Sequence, residues 1–492
     1  MLIANTGQSL VVMNLRTGEQ VQLPPGLRTP LADSKIRYID DSAVLIALFN
    51  SGVLVAYTDA GSAYPGFPTT ANPADSKVIP PVDDDYANAV VAASGGRLPN
   101  RFGLFGDSRL VVSMPLNTTH RSFVNQANVM MNQAMNIVVN AAVGGQGTAA
   151  MLARIDADLL SYKLTDVIML AGTNDIANGS GASVAIANLT AMYDKILARG
   201  IRLFACLEYP ANSVYTDATK REALHRINQA IRDYAATHPQ VIVVDLFGRL
   251  IDATSATGDQ IANASYDGIH LSILGAYPCA LELKSKVEVI YPTPRKIRTS
   301  LTDVVSAAYP NGNIVTNGLF VGTGGSETGP GMSGDTADGW GIQLEAGTAT
   351  CVGSKVARSD GYQGAIQRLT ISASANDTRV RLRQILDLPA QIVAGDFVEV
   401  FAEIDINTIV GQVDAAQIYL QWRTVADAVI RTDALPAAGT DAFQPIAGTL
   451  YSGLLEVPVT AHDIVIGVRV QLDNGASCVL DVKGFEARKV VR

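Results

Sequence analysis

The chain has 492 residues, of which 48% are hydrophobic and 17% charged, and its formal net charge is −9. That length exceeds what one ordinary hydrophobic core organises, so two or three domains are expected. The acidic balance excludes a general nucleic-acid binder, which needs a basic face, and it disfavours docking on anionic membranes.

The first residues, MLIANTGQSLVVMNLRTGEQ, lack a basic segment followed by a continuous apolar one. No signal peptide is therefore expected, and synthesis in the cytoplasm follows, with release in a virion an equally compatible outcome. The most apolar stretch, SAVLIALFNSGVLVAYT, is interrupted at Asn50, Ser51 and Gly52. It predicts two strands around a turn, not a membrane span. Short runs of this kind (SLVVMNL, QVQL, KIRYI, AVLIALF, VLVAYT) recur between turn signals, predicting a small β-rich domain over residues 1–93.

Over residues 94–300 the pattern changes. Apolar runs at 101–106, 136–141, 166–172, 201–209 and 241–246 alternate with helix-like stretches at 148–163, 184–200 and 220–238. In the last stretch Leu224, Ile227, Ile231 and Tyr234 line one helical face. Strands that are apolar throughout belong in a parallel sheet covered on both sides, so a doubly wound α/β domain is expected. Residues 310–492 return to period-2 alternation, as in FVEVFAEIDI, TRVRLRQIL and IVIGVRVQL. These predict an antiparallel β-sandwich of jelly-roll type. Trp340, Tyr362, Tyr419 and Trp422 are candidates for stacking on sugars there, with burial in the core the commoner fate of such residues.

In doubly wound sheets the reactive groups gather at the carboxyl ends of the strands. GLFGDS places Ser108 just past the first α/β strand. A serine hydroxyl is a weak nucleophile, so it needs a base within hydrogen-bond reach and donors for the oxyanion it creates. Later strand ends supply both. NAAVGGQGT brings a glycine loop, MLAGTNDIANG brings the Asn174 amide, and SYDGIHLS sets Asp267 three residues before His270. Asp267 could orient the imidazole while His270 takes the serine proton. Asp107 is expected to cap the turn after the strand, and Asp175 to position Asn174. Arg109 is a candidate for binding an anionic substrate, with a surface salt link as the alternative. The remaining histidines, His120, His225, His238 and His462, have no comparable acid in a turn and are assigned structural or solvent-exposed places.

Four blocks in order, GDS at 106–108, Gly145, GTND at 172–175 and DGIH at 267–270, resemble those of the SGNH hydrolases, the GDSL esterase/lipase family. The resemblance implies a flavodoxin-like α/β/α domain and an acyl-serine mechanism. Ser108 would be the nucleophile, His270 the base and Asp267 its partner. Ser108, Gly145 and Asn174 would form the oxyanion hole. Arg109 departs from the family pattern, in which leucine or isoleucine usually follows the serine, and this weakens the inference of a greasy acyl chain. The implied activity is hydrolysis of a short acyl ester, O-acetyl for preference, on a bacterial surface polysaccharide. A lipid or thioester hydrolase, or a structural glycan-binding protein of a phage tail, are the alternatives.

The opening of the C-terminal region, with its Asn-Gly start and Gly-Trp-Gly, resembles β-sandwich modules appended to phage tail and carbohydrate-active proteins. It implies glycan binding there, and attachment to phage tail components through the N-terminal domain. There is no nucleotide fingerprint or metal-ligand cluster, so no cofactor and no metal is expected. Cys206, Cys279, Cys351 and Cys478 are far apart and predict structural thiols, with a Cys351–Cys478 bridge left open.

Overall fold

The structure, a computed structural model, describes residues 2–5, 11–14, 20–23, 28–30, 54–57 and 100–490, apart from 116, 294, 298 and 440. Two compact units divide the chain, residues 1–98 and residues 99–491. In the first, strand β1 (Leu2–Asn5) pairs antiparallel with β4 (Arg28–Pro30) and β5 (Leu54–Tyr57), while β2 (Val11–Asn14) pairs with β3 (Gln20–Leu23). Three of these strands fall in runs read as β from the sequence. KIRYI and AVLIALF lie outside the described residues.

The second unit begins with a five-stranded sheet of β6 (Arg101–Gly106), β7 (Asn136–Asn140), β8 (Asp166–Leu170), β9 (Arg202–Cys206) and β10 (Val241–Val244). All its pairings are parallel and the order is β7-β6-β8-β9-β10, the flavodoxin-like arrangement with its switch point beside β6. The continuous apolar runs are explained by two cores. Val167 and Met169 of β8 face one way, toward helices α3 (Thr148–Asp158), α5 (Ala182–Ala198) and α6 (Ala218–Thr237). Ile168 and Leu170 face the other way, toward α2 (Phe123–Met130) and α8 (Ile273–Val287). The stripe on α6 is buried as its spacing requires, at Leu224, Ile227 and Ile231. Each such side chain contributes roughly 1.5–3 kcal/mol. Three short helices, α1 (Ser108–Val111), α4 (Thr173–Ala177) and α7 (Leu246–Leu250), follow strand ends.

The C-terminal part is a sandwich of two six-stranded sheets, as the alternation predicts. One runs β11 (Gly324–Thr328), β13 (Thr336–Ala346), β16 (Thr378–Asp387), β21 (Asp463–Leu472), β18 (Val413–Arg423) and β19 (Val429–Leu435). The other runs β12 (Met332–Gly334), β14 (Ala349–Ala357), β15 (Ala365–Ala373), β22 (Ser477–Val490), β17 (Phe397–Val410) and β20 (Ile446–Glu456). Pairing is antiparallel except at β11–β13 and β12–β14. Trp340, Tyr419 and Trp422 are buried, which removes them as an open sugar platform, whereas Tyr362 is half exposed. Cys351 and Cys478 both stand opposite Ile371, on either side of β15. Two strand spacings separate them by about 9–10 Å, beyond the reach of a disulfide. All four cysteines are buried free thiols.

The α/β part and the sandwich share a seam. Val129 of α2 and Ile273 of α8 belong to the sandwich's own core cluster. Gln133 donates to the Thr449 carbonyl at 2.6 Å, and Arg121 pairs with Asp441 at 2.7 Å. Gly448 has φ of +153°, and a Cβ there would fall 1.9 Å from the Val129 carbonyl oxygen, so glycine is required by close approach. His120 is buried in this seam, its Nε2 2.9 Å from the Ala416 carbonyl oxygen and its ring edge-on to Phe443.

Burial pushes the His120 pKa down from 6.5 to about 4, against the Ala416 bond that favours the charged form. The folded protein thus holds His120 neutral while the unfolded chain protonates it. Stability conferred by the neutral ring is complete above pH 6.5 and is lost as pH falls toward 4, by on the order of 3 kcal/mol. Denaturant unfolding at pH 7 and pH 4.5 should show a smaller acid loss for His120→Gln than for the native chain. An equal loss in both would contradict this role.

Candidate active site

Ser108 opens α1 at the switch point of the sheet, immediately past β6. As the first residue of a helix its N–H has no intrahelical acceptor and points outward. Asp107 caps the helix as expected, accepting from Arg109 N at 3.1 Å. The Ser108 hydroxyl lies 2.7 Å from His270 Nε2, across 162 positions of sequence. On the other side of the ring, His270 Nδ1 is 2.6 Å from Asp267 Oδ2. The other carboxylate oxygen, Asp267 Oδ1, accepts from the backbone N–H of Ile269 at 2.9 Å and of His270 at 2.7 Å. Burial works against the charge on Asp267, but the His270 ring and these two N–H groups outweigh it and hold the carboxyl below the usual carboxylate range. With Nδ1–H donated to the carboxylate, Nε2 carries the lone pair that faces the serine hydroxyl.

The loop carrying Asp267 and His270 is held at several points. Tyr266 N–H donates to His270 O, the Tyr209 hydroxyl donates to Ile269 O at 2.7 Å, and Ser213 Oγ donates to Asp267 O at 2.8 Å. Gly268 has φ of +85° and a Cβ there would overlap Ser213 Oγ, so the turn needs glycine on two counts.

The glycine loop lies alongside. A Cβ on Gly144 would come 3.7 Å from Ser108 Cβ, and Gly145 is in the left-handed region with φ of +75°. Asn174 donates to Gln146 O at 3.0 Å, which ties its side-chain amide to the same loop. The amide NH2 carries a second hydrogen as a further donor. Asp175 does not touch Asn174's amide. It accepts from Thr148 N at 2.9 Å and Thr148 Oγ1 at 2.7 Å, anchoring the start of α3 where the glycine loop ends. The structure therefore brings Ser108, Asp267 and His270 into one hydrogen-bonded series and sets Gly145 and Asn174 beside it.

Arg109 is elsewhere. Its side chain is 2% exposed and makes paired bonds to Asp107 at 2.9 and 2.7 Å and to Glu208 at 2.7 and 2.9 Å. The salt link is internal and not on the surface, and burial sets the guanidinium away from the open side of the site where a substrate contact was expected. The side chain after the nucleophile turns under the sheet edge, where two carboxylates compensate it. Burial alone would drive the proton off, yet Asp107 and Glu208 keep the guanidinium firmly charged. Glu208 Oε2 also accepts from the Thr173 hydroxyl, which in turn meets the Tyr215 hydroxyl at 2.9 Å. Arg109 thereby links Asp107, on the other side of Ser108, to Glu208 and, through Thr173, to the start of α4.

Two residues near the site are not evident from the motifs. Tyr266 is 49% exposed, with its ring stacked 5.8 Å from that of His270. Arg121 lies 4.3 Å over the same ring and is held by Asp441 of the sandwich. Nothing in the local sequence marks Arg121 or Asp441, because they meet only through the fold. Among the described residues no group of three or more His, Cys, Asp or Glu is placed to hold a metal ion, and no helix is long and apolar enough to cross a membrane.

Residues 104–276, within the second compact unit, match the family model described as GDSL-like Lipase/Acylhydrolase family. Similar solved structures include a GDSL-like lipase from Bacteroides thetaiotaomicron, 16% identical, covering 42% of this chain and 97% of its own, with a TM-score of 0.32. A member of the lipolytic G-D-S-L family from Veillonella parvula is 17% identical and covers 39% of this chain and 97% of its own, with a TM-score of 0.30. An acetyl xylan esterase is 16% identical and covers 38% of this chain and 99% of its own, with a TM-score of 0.32. No curated protein matches the chain.

Proposed function

We propose that the protein is a serine esterase that removes short acyl groups, O-acetyl above all, from a surface polysaccharide. The observation that carries this is the unbroken series Ser108 Oγ, His270 Nε2 and Nδ1, Asp267 Oδ2, with spacings of 2.7 and 2.6 Å at the carboxyl edge of the sheet. In the reaction Ser108 Oγ attacks the acyl carbonyl carbon as its proton passes to His270 Nε2. Asp267 stabilises the imidazolium without taking the proton. The Ser108 and Gly145 N–H groups and the Asn174 amide receive the oxyanion. Collapse of the tetrahedral intermediate expels the alcohol, protonated by His270. Water, deprotonated by the same ring, then releases the acid and restores Ser108.

A short acyl group is supported by what surrounds the hydroxyl. Gly144 and Gly145 of the adjoining loop are small and Asn174 is polar, and none of the three supplies an apolar wall for a long chain. The exposed Tyr266 ring with Arg121 behind it suits a hydroxylated alcohol portion. Initial rates on p-nitrophenyl acetate, butyrate and octanoate, together with acetate release from an acetylated polysaccharide, test the proposal. The expected result is turnover of acetate and of the polysaccharide, with octanoate at least about tenfold slower in kcat/KM. Preference for octanoate would replace this reading by a lipid or thioester hydrolase.

A further inference from the structure

The sandwich sheet containing β16 buries Val380 and Leu382 in the core, so the intervening arginines, Arg379, Arg381 and Arg383, stand on its outer face. Residues opposite one another in register share a face. Arg381 lies between Gln343 and Arg469, and Arg383 lies between Gly341 and Gly467, with Tyr419 beyond. Arg383 thus faces a glycine directly across on either adjacent strand. Tyr419 backs the cluster, with the Arg381 and Arg469 guanidinium carbons 4.8 and 5.1 Å from its ring centre.

On this face the other arginines have acidic partners, Arg379 in Asp377 and Arg423 in Asp463 and Asp427. Arg381 and Arg469 share one carboxylate, that of Glu345, at 3.9 and 3.4 Å, the former too long for a hydrogen bond. Arg383 pairs with no acid among the described residues, and its Nε is enclosed without a hydrogen-bond acceptor, as is Nη1 of Arg381. Burial, then the charges of Arg381 and Arg423, make the Arg383 proton easier to lose than an ordinary arginine's. Like charges brought together are a standing cost, lowered by an anion bound beside them. The forked guanidinium matches a pair of anionic oxygens, and a protein with a net charge of −9 has no general attraction for polyanions.

We propose that this face is a binding site for an acidic polysaccharide, in which Arg383 and Arg381 clamp the carboxylate or sulfate oxygens of one sugar. The choice of a polysaccharide rests on the esterase proposal above, but the binding does not depend on turnover. Isothermal titration of the full-length protein with polygalacturonate, dextran sulfate and neutral dextran tests it, comparing the native chain with Arg383→Gln and Arg381→Gln. The expected result is binding of polygalacturonate that weakens about tenfold or more in Arg383→Gln, with no binding of neutral dextran. The p-nitrophenyl acetate turnover should stay unchanged, and the melting temperature should not fall. Binding of dextran sulfate alone, lost in the same variant, assigns the ligand oxygens to sulfate. If Arg383→Gln fails to fold, Arg383→Lys, which keeps the charge without the fork, is expected to show a smaller loss in the same direction. Equal affinity of native and variant proteins for the polyanions, or no binding of either, overturns the site. Absence of esterase activity with binding intact would count against the esterase proposal alone.

Discussion

Ser108→Ala is expected to lower kcat for p-nitrophenyl acetate by at least about a thousandfold while leaving KM nearly unchanged. The hydroxyl supplies the bond-forming atom and makes little ground-state contact, so its loss falls on the transition state. His270→Gln should cost a similar factor, since glutamine cannot accept the serine proton at Nε2's position. The double variant should then be no worse than either single one, because serine and base act as a unit and neither retains its function without the other. What remains in all three variants is the contribution of Gly145, Asn174 and the substrate-binding surface. Steady-state kinetics on the four proteins measures this. Additive losses in the double variant would mean that Ser108 and His270 act separately.

The second large effect concerns stability. Arg109→Leu places at this position the residue type usual in the resembling family, yet here it leaves Asp107 and Glu208 buried and facing one another without a cation. Breaking one member of a buried ionic group costs about 3–5 kcal/mol, because the uncompensated charges stay behind. Urea denaturation of Arg109→Leu should show a loss of that order. Adding Glu208→Gln removes one of the stranded charges and should recover part of it, a non-additivity expected of residues in contact. No change in the single variant would show that the arginine is not needed for stability. The arrangement also explains how a charged residue is tolerated directly after Ser108. Arg109 turns its chemistry inward, toward groups bonded to Glu208, and leaves the serine as the exposed polar atom of the turn.

Much of the α/β domain was legible because its strands are apolar on both faces and its motifs sit at strand ends. The four motif blocks predicted which residues meet, and the structure brings Ser108, Asp267 and His270 within hydrogen-bond distance. Helix α2 was not legible, for a physical reason. It packs on the sheet with one face and on the sandwich with another, and it buries Asn125, Gln126 and Asn128, which destroys the amphipathic pattern. Those amides are satisfied by backbone, as where Asn125 accepts from Met114 N and Gln126 donates to His120 O. Helix α8 was obscured by Pro278 within it. The burial of Arg109 could not be read locally, since its second partner lies 99 positions away. Glu208 did carry a signal, being a single acid directly beyond the apolar strand β9 at the sheet's reactive edge. The seam with the sandwich, and with it Asp441 and Arg121 behind Tyr266, depends on tertiary contacts that no motif encodes.

The most direct test is covalent. An alkyl fluorophosphonate is attacked at phosphorus by an activated serine oxygen, expelling fluoride and leaving a stable phosphonyl ester. Intact-mass and peptide analysis of the treated protein should show one adduct, on the peptide that contains Ser108. That adduct should be absent in Ser108→Ala and form far more slowly in His270→Gln. An adduct on another residue, or equal labelling of the native protein and Ser108→Ala, would contradict the assignment of Ser108 as the nucleophile.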